Sequence, residues 1–300
     1  MTRSHHKHPH QLSGARLEEL AQAQDVGQLS YARLEAMFRE DRDLAAQAPE
    51  GAWAEDPRNG DRVLFNPARA RRPSSFVADR AESRTIHPAD CPICAGTTTA
   101  AVDIAPLSEG FTFINKNLFA ALFPHEAAAP GDGAPASGLH FLQWTSTLHD
   151  RDWHNLSLED GGVVMRRLAV LEQTLLNGAA GAPAGDPARS VMIIKNYGVA
   201  VGGSLAHGHQ QIMAGDCMPR CLQEDDAFVR RHEETFATHM LRRSSSDLVV
   251  RDYEQALLVV PYYMKRPFDM LLLLKDQRKS RLHEMDQAET AAVVRAWRDA

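Results

Sequence analysis

Apolar residues recur at helical spacing in three stretches of the chain. Leu34, Met37, Phe38 and Leu44 line one face of residues 29–46, and Leu168, Leu171 and Leu175 do the same within 157–177. Val293, Ala296 and Trp297 form a stripe after Asp286. Each pattern predicts an amphipathic helix. Ser157 stands where it can cap the second, and Asp286 with Glu289 three residues on gives the third a capping-box start. That third pattern is still running at Ala300, so a longer protein is expected to continue beyond it. A further helix, strongly charged, is predicted over about 225–241.

Short apolar or alternating runs bounded by turn residues predict strands at 62–65, 139–145, 191–195, 206–213, 256–260 and 270–274. The first follows Asp56-Pro-Arg-Asn-Gly-Asp61, a hairpin turn in which Asn-Gly supplies the positive φ that such turns require. Residues 198–204 form a glycine-rich turn between two of the strands. Two segments rich in Ala, Gly and Pro, 126–138 and 178–190, read as surface loops. Residues 1 to about 13, with His5, His6, His8 and His10, read as a flexible tail that could bind metal weakly.

Composition narrows the class. With 44% hydrophobic and 24% charged residues, the chain has the make-up of a globular protein. Its longest apolar runs are far shorter than the ~20 residues of a membrane-spanning helix, so no membrane partner is expected. No secretory h-region follows the first residues. Lys and Arg total 33 against 39 Asp and Glu, a formal charge of −6, which argues against a general nucleic-acid partner. Positive charge is concentrated locally at Arg69, Arg71 and Arg72. Four cysteines in two close pairs, Cys91/Cys94 and Cys217/Cys221, without a leader, point to a cytoplasmic chain whose thiols bind metal or stay free.

The richest chemistry lies in residues 196–213. If 206–213 is one strand, His207, His209 and Gln211 share a face. Just upstream, Gly202-Gly203-Ser204 offers backbone N–H groups and a hydroxyl to an anion, and Asn196 opens the turn. A phosphate suits such a cradle. A neutral imidazole beside a nucleotide α-phosphorus can attack it, giving a phosphoramidate and splitting one displacement into two. Gln211 could donate its amide N–H to a phosphoryl oxygen. The alternative reading is a polar strand edge carrying two solvated histidines. Cys91-Pro-Ile-Cys94 is a knuckle whose thiolates can converge on one tetrahedral metal. Its remaining ligands could be His149, His154, His207 or the pair Cys217/Cys221, and a redox pair stays open as well.

Taken together these residues resemble the galactose-1-phosphate uridylyltransferase family, a branch of the histidine-triad superfamily. His207-Gly-His209-Gln-Gln211 matches its H-P-H-x-Q hallmark. Asp56-Pro-Arg-Asn-Gly-Asp61, Asn66-Pro-Ala-Arg69-Ala-Arg-Arg72-Pro73, Cys91-Pro-Ile-Cys94, Asn115-Lys-Asn-Leu-Phe-Ala120 and Val260-Pro-Tyr to Pro267-Phe268 match other family segments in order. The resemblance covers about 55–300. It implies an α+β fold: a histidine-triad-like antiparallel sheet flanked by helices, followed by the start of a second similar half. The implied domains are 1–50, a flexible tail and helix; 51–245, the nucleotidyltransferase half with its zinc site; and 246–300, the beginning of the second half.

Carried over by position, His209 is the nucleophile and Gln211 the residue that hydrogen-bonds the intermediate. Cys91, Cys94, His149 and His207 bind Zn2+, with His154 the competitor of His149. Arg69, Arg72, Asn115, Asn117, Asn196, Gly202, Gly203 and Ser204 bind substrate. The implied activity, in carbohydrate metabolism, moves a nucleoside monophosphate, UMP, between a nucleotide-sugar and a sugar 1-phosphate through a covalent nucleotidyl-histidine. A homodimer is the expected assembly. The motif fixes the intermediate but not the acceptor, so three alternatives stand beside this: a dinucleoside-polyphosphate or nucleotide-sugar phosphorylase, an adenylyltransferase, and a zinc-stabilised nucleotide-binding module with little activity. Hydrolysis fits less well, because histidine-triad hydrolases carry a third histidine where Gln211 stands. Gly208 departs from the family by replacing the proline between the two histidines.

Overall fold

The computed structural model describes residues 25–46, 48, 50–67, 91, 93–94, 101–103, 111–125, 133–177, 190–198, 203, 205–215 and 218–300. The His-rich tail, Arg69, Arg72, Gly202, Ser204, Cys217 and most of the two Ala/Gly/Pro-rich segments lie outside the described residues.

The first predicted helix is two: α1 (Tyr31–Glu40) and α2 (Arg42–Ala46). Asp41 makes the break, because its carboxylate accepts from the backbone N–H groups of Asp43 and Leu44 and starts a new helix. The same carboxylate pairs with the buried Lys116. β1 (Ala52–Asp56) and β2 (Asp61–Phe65) form an antiparallel hairpin, and Gly60 in its turn has φ 74°, as the Asn-Gly sequence requires. The sequence pattern pointed to β2 but not to β1.

A five-stranded antiparallel sheet follows, built from β3 (Ala101–Asp103), β4 (Ile114–Lys116), β5 (Gly138–Trp144), β6 (Ser190–Ile194) and β7 (His209–Gly215) in the order β3-β4-β5-β7-β6. Helix α3 (Leu158–Leu176) lies between β5 and β6 in the chain, and the Ser157 hydroxyl accepts from the Asp160 N–H at its start. The β5–β7 register sorts side chains onto two faces. Leu139 and Phe141 pair with Ala214 and Ile212, all four buried. Phe141 meets Phe38 of α1 edge to face, ring centroids 5.1 Å apart. On the opposite face the pairs are His140 with Met213, Leu142 with Gln211, and Trp144 with His209. Trp144 packs there with Cys91, Ile93 and Phe113. One face is thus apolar core and the other carries the polar chemistry. Slipping the register by one residue would exchange them.

The described chain divides into two compact units, 1–152 with 173–218 and 153–172 with 219–300. The first holds the five-stranded sheet. In the second, the predicted charged helix is again two, α4 (Arg220–His232) and α5 (Phe236–Arg243). Glu233 ends α4 in the left-handed conformation, φ 57°, and the Thr235 hydroxyl caps α5. Strands β8 (Val249–Asp252), β9 (Ala256–Val259) and β10 (Leu271–Leu274) form an antiparallel sheet in the order β10-β9-β8. Helix α6 (Gln287–Asp299) packs Ala292 and Ala296 against Tyr253, Ala256 and Leu258. Its capping box of Asp286 and Glu289 is formed as predicted. Among the described residues no helix is long and apolar enough to cross a membrane.

Gly138 starts β5 at φ 148°, and a Cβ there would come within 2.3 Å of the Ala214 carbonyl oxygen. Gly138→Ala is therefore expected to lower stability by about 1–3 kcal/mol. The check is a lower urea midpoint with unchanged m-value.

Candidate functional site

Cys91, Cys94, His149 and His207 converge, with all four ligand atoms within 4.8 Å of one another. The Cys94 thiol lies 3.3 Å from Nδ1 of both His149 and His207, and the Cys91 thiol lies 3.7 Å from Nδ1 of His207. Metal–donor bonds of about 2.0–2.3 Å in a tetrahedral site put neighbouring donors about 3.3–3.8 Å apart. These three sulfur–nitrogen separations match that geometry. Cys91 and Cys94 are free thiols rather than a disulfide. His207 is oriented from behind: its Nε2 is 2.7 Å from the Ser146 carbonyl oxygen. A carbonyl can only accept, so the proton sits on Nε2 and the Nδ1 lone pair faces the thiols, the outer support expected of a metal-binding imidazole. Burial pulls the pKa of His207 down to about 4, which keeps it neutral and able to ligate. Burial, reinforced by Cys91, holds the Cys94 thiol well above its ordinary range. Two adjacent thiolates need a cation between them, and this set could hold one. His149, not His154, completes the cluster, and Cys221 is exposed outside it.

The expectation that His207, His209 and Gln211 share one strand face needs correction. β7 begins at His209, and His207 lies in the bend before it. The His207 ring goes to the thiols instead, while its backbone carbonyl receives the Nδ1–H of His209 at 2.7 Å. That bond fixes the His209 tautomer and leaves Nε2 as the nitrogen with the lone pair. The backbone of His209 is held on its other side by Lys195, whose Nζ donates to the His209 carbonyl at 3.2 Å and pairs with Asp152 at 2.6 Å. Burial draws the Lys195 amine below the usual lysine range, and the Asp152 charge opposes this.

Gln211 follows on the same face. Its Oε1 is 3.1 Å from Nε2 of His140, and Asn117 Nδ2 is 3.1 Å from the same nitrogen. Asn117 thus reaches the Gln211 neighbourhood. Asn115 is buried and donates to the Lys116 carbonyl. Asn66, in the segment before Arg69, donates to the Ala120 carbonyl at 3.0 Å. Asn196 is half-buried two residues past β6, and the buried Gly203 donates its N–H to the Gly198 carbonyl at 3.0 Å.

Gly208 is explained by crowding. A Cβ there would lie 2.3 Å from Thr145 Oγ1, 2.6 Å from the Arg151 carbonyl and 2.8 Å from Asp152 Cγ. In the same place Thr145 donates its N–H to the Gly208 carbonyl at 3.0 Å. The loop between His149 and Asp152 lies directly on this residue. Sequence reasoning missed Ser146, Lys195, Asp152 and His140 as parts of the site. For Lys195 and His140 there was a signal, a polar residue inside or at the end of an apolar strand.

The fold is that of uridylyltransferases. A solved structure described as uridylyltransferase superposes with a TM-score of 0.61 at 18% identity, covering 82% of this chain and 73% of the other. By sequence, the chain is a relative of ADP-glucose phosphorylase and of galactose-1-phosphate uridylyltransferase, both enzymes. It is 24% identical to the phosphorylase of Arabidopsis thaliana over 258 residues, 81% of this chain and 70% of that protein. It is 23% identical to the uridylyltransferase of Saccharomyces cerevisiae over 256 residues, 78% of this chain and 69% of that protein. No family model matches the chain.

Replacing a member of the cluster should release its metal. Cys94→Ser or His149→Ala is expected to weaken metal affinity beyond the roughly 10–100-fold typical of losing an outer partner, whereas His154→Ala and Cys221→Ser leave it unchanged. Elemental analysis and chelator competition on the purified chain measure this.

Proposed function

We propose that this chain is a nucleotidyltransferase that takes a nucleoside monophosphate from a nucleotide-sugar onto His209 and passes it to a phosphate-bearing acceptor. The observation that carries the reading is the hydrogen bond from His209 Nδ1–H to the His207 carbonyl. With Nδ1 committed as donor, Nε2 attacks the α-phosphorus: the P–N bond forms, and the bond from the α-phosphorus to the leaving phosphate oxygen breaks. The imidazole becomes cationic, and the His207 carbonyl stabilises the proton that stays on Nδ1. An acceptor phosphate oxygen then attacks the same phosphorus and the P–N bond breaks, returning His209 to its starting state. Gln211 donates its amide N–H to a phosphoryl oxygen without adding an acid or base. Asn117, Asn196 and Gly203 line the substrate in this reading, as do Arg69, Arg72, Gly202 and Ser204.

Zn2+ is the metal that best fits a Cys2His2 set with these spacings. Its chemistry here is structural, since four protein donors leave no open position for substrate. It would be held by Cys91, Cys94, His149 and His207, and it would keep the His207 carbonyl where His209 needs it. The reading includes a histidine-triad-like half over 51–245 and the beginning of a similar half over 246–300.

The transferred group in the first form of this proposal is UMP, with a sugar 1-phosphate as acceptor. A second form, phosphorolysis of ADP-glucose, is supported equally by the similarity to ADP-glucose phosphorylase. Incubation with α-32P-labelled UDP-glucose or ADP-glucose tests both. One donor should leave acid-labile, base-stable label on the protein, and His209→Ala should abolish it, slowing turnover by at least about a thousandfold. Chasing the labelled protein with galactose 1-phosphate or inorganic phosphate identifies the acceptor. Persistent failure of both donors to label the metal-loaded chain favours the nucleotide-binding module instead.

A further inference from the structure

A carboxamide has two chemically opposite ends, and only its NH2 end can donate to a phosphoryl oxygen. Which way Gln211 points is therefore part of the chemistry, and the residue itself cannot decide it. Its Oε1 lies 3.1 Å from Nε2 of His140, which is fully buried on β5. His140 pairs with Met213 and Leu142 pairs with Gln211, so His140 reaches Gln211 diagonally across the β5–β7 ladder. The ring of His140 has a fixed tautomer. Its Nδ1 is 2.8 Å from the backbone N–H of Ala121. That N–H can only donate, so Nδ1 carries the lone pair and Nε2 carries the proton. Of the two atoms 3.1 Å from Nε2, Asn117 Nδ2 is itself a donor, because Asn117 Oδ1 already accepts from the Phe119 N–H at 3.0 Å. Gln211 Oε1 is the atom that takes the proton.

We propose that His140 is a positioning residue for nucleotidyl transfer: it relays the backbone N–H of Ala121 to Gln211 Oε1 and so turns the Gln211 NH2 group toward the phosphoryl group on His209. This rests on the proposed role of Gln211, but it can fail separately. It explains the coupling of two distant segments, 117–121 and β7, through one buried imidazole. A histidine that merely satisfied Ala121 would contribute stability without acting through Gln211.

A double-mutant cycle with a spectroscopic arm distinguishes these roles. The full metal-loaded chain is labelled in single turnover with α-32P UDP-glucose and with ADP-glucose, as wild type, His140→Leu, Gln211→Ala, the double variant, and His140→Gln, whose amide can still donate to Oε1. His140→Leu should slow labelling by about tenfold or more at unchanged metal content, have less than about twofold further effect in the Gln211→Ala background, and be largely rescued in His140→Gln. In 15N NMR the wild type should show His140 with its proton on Nε2. The Gln211 NH2 signals should shift and exchange faster in His140→Leu, with His140→Gln as the folding control. Equal slowing by His140→Leu in both backgrounds, or Gln211 NH2 signals unchanged in His140→Leu, overturns the assignment. If wild type takes no label from either donor, the covalent reading fails, and the NMR arm still decides the role of His140.

Discussion

Residue 207 is held from both sides, and the rest of the site depends on how. The Ser146 carbonyl takes the Nε2 proton of its ring, which aims Nδ1 at two thiols, and its own carbonyl takes the Nδ1 proton of His209. Two backbone carbonyls, those of Ser146 and His207, therefore set the tautomers of two imidazoles with different duties. The ring of His207 is pinned to the cluster, so its backbone cannot drift without dragging the His209 ring along. Lys195 and Asp152 apply the matching restraint to the carbonyl of His209. A buried ion pair of this kind contributes little net stability. Its effect here is geometric, because it anchors the carbonyl of the first residue of β7.

Period-two alternation distributes the remaining work. Ile212 and Ala214 face the apolar core with Phe141 and Leu139, and the intervening His209 and Gln211 face the chemistry. The core that fixes the register thereby fixes the spacing of two polar side chains. Gln210, on the core side, is not left as a buried polar liability, since its amide donates to Gln143 at 2.7 Å.

Long periodic stripes were legible. Helices α3 and α6 and strands β5 and β6 fall within a residue or two of the pattern, because a repeated apolar face leaves little choice of period. Strands β1, β3, β4 and β8 were not, since each holds at most three apolar residues beside charged or polar ones, whereas the equally short β9 and β10 are unbroken apolar runs. The break at Asp41 escaped because it lies inside an apolar stripe that continues past it, and the break at Glu233 because it lies in a charged run with no Gly or Pro to mark it. Spacing alone named Cys91 and Cys94 but left their partners open among several histidines and cysteines, and the resemblance to a family pointed to His149 and His207. That His207 lies outside the strand was hidden, because alternation looks the same in a bend. His140 showed only as a polar residue inside an apolar strand and its partner was hidden: its contact with Gln211 follows from pairing across residues 71 apart in sequence.

The cluster has a topological consequence apart from its chemistry. Its two cysteines lie 55 to 116 residues from the histidines they meet, and a single ion bound there would cross-link these segments. Loop-closure entropy grows only by about 0.6 kcal/mol for each doubling of loop length, so a metal clip costs little more for joining remote segments than near ones. Once closed, it removes from the unfolded ensemble the many conformations in which the knuckle, the loop after β5 and the approach to β7 are apart. Metal binding there would count directly as stability of the folded chain, because the unfolded chain has no preformed site.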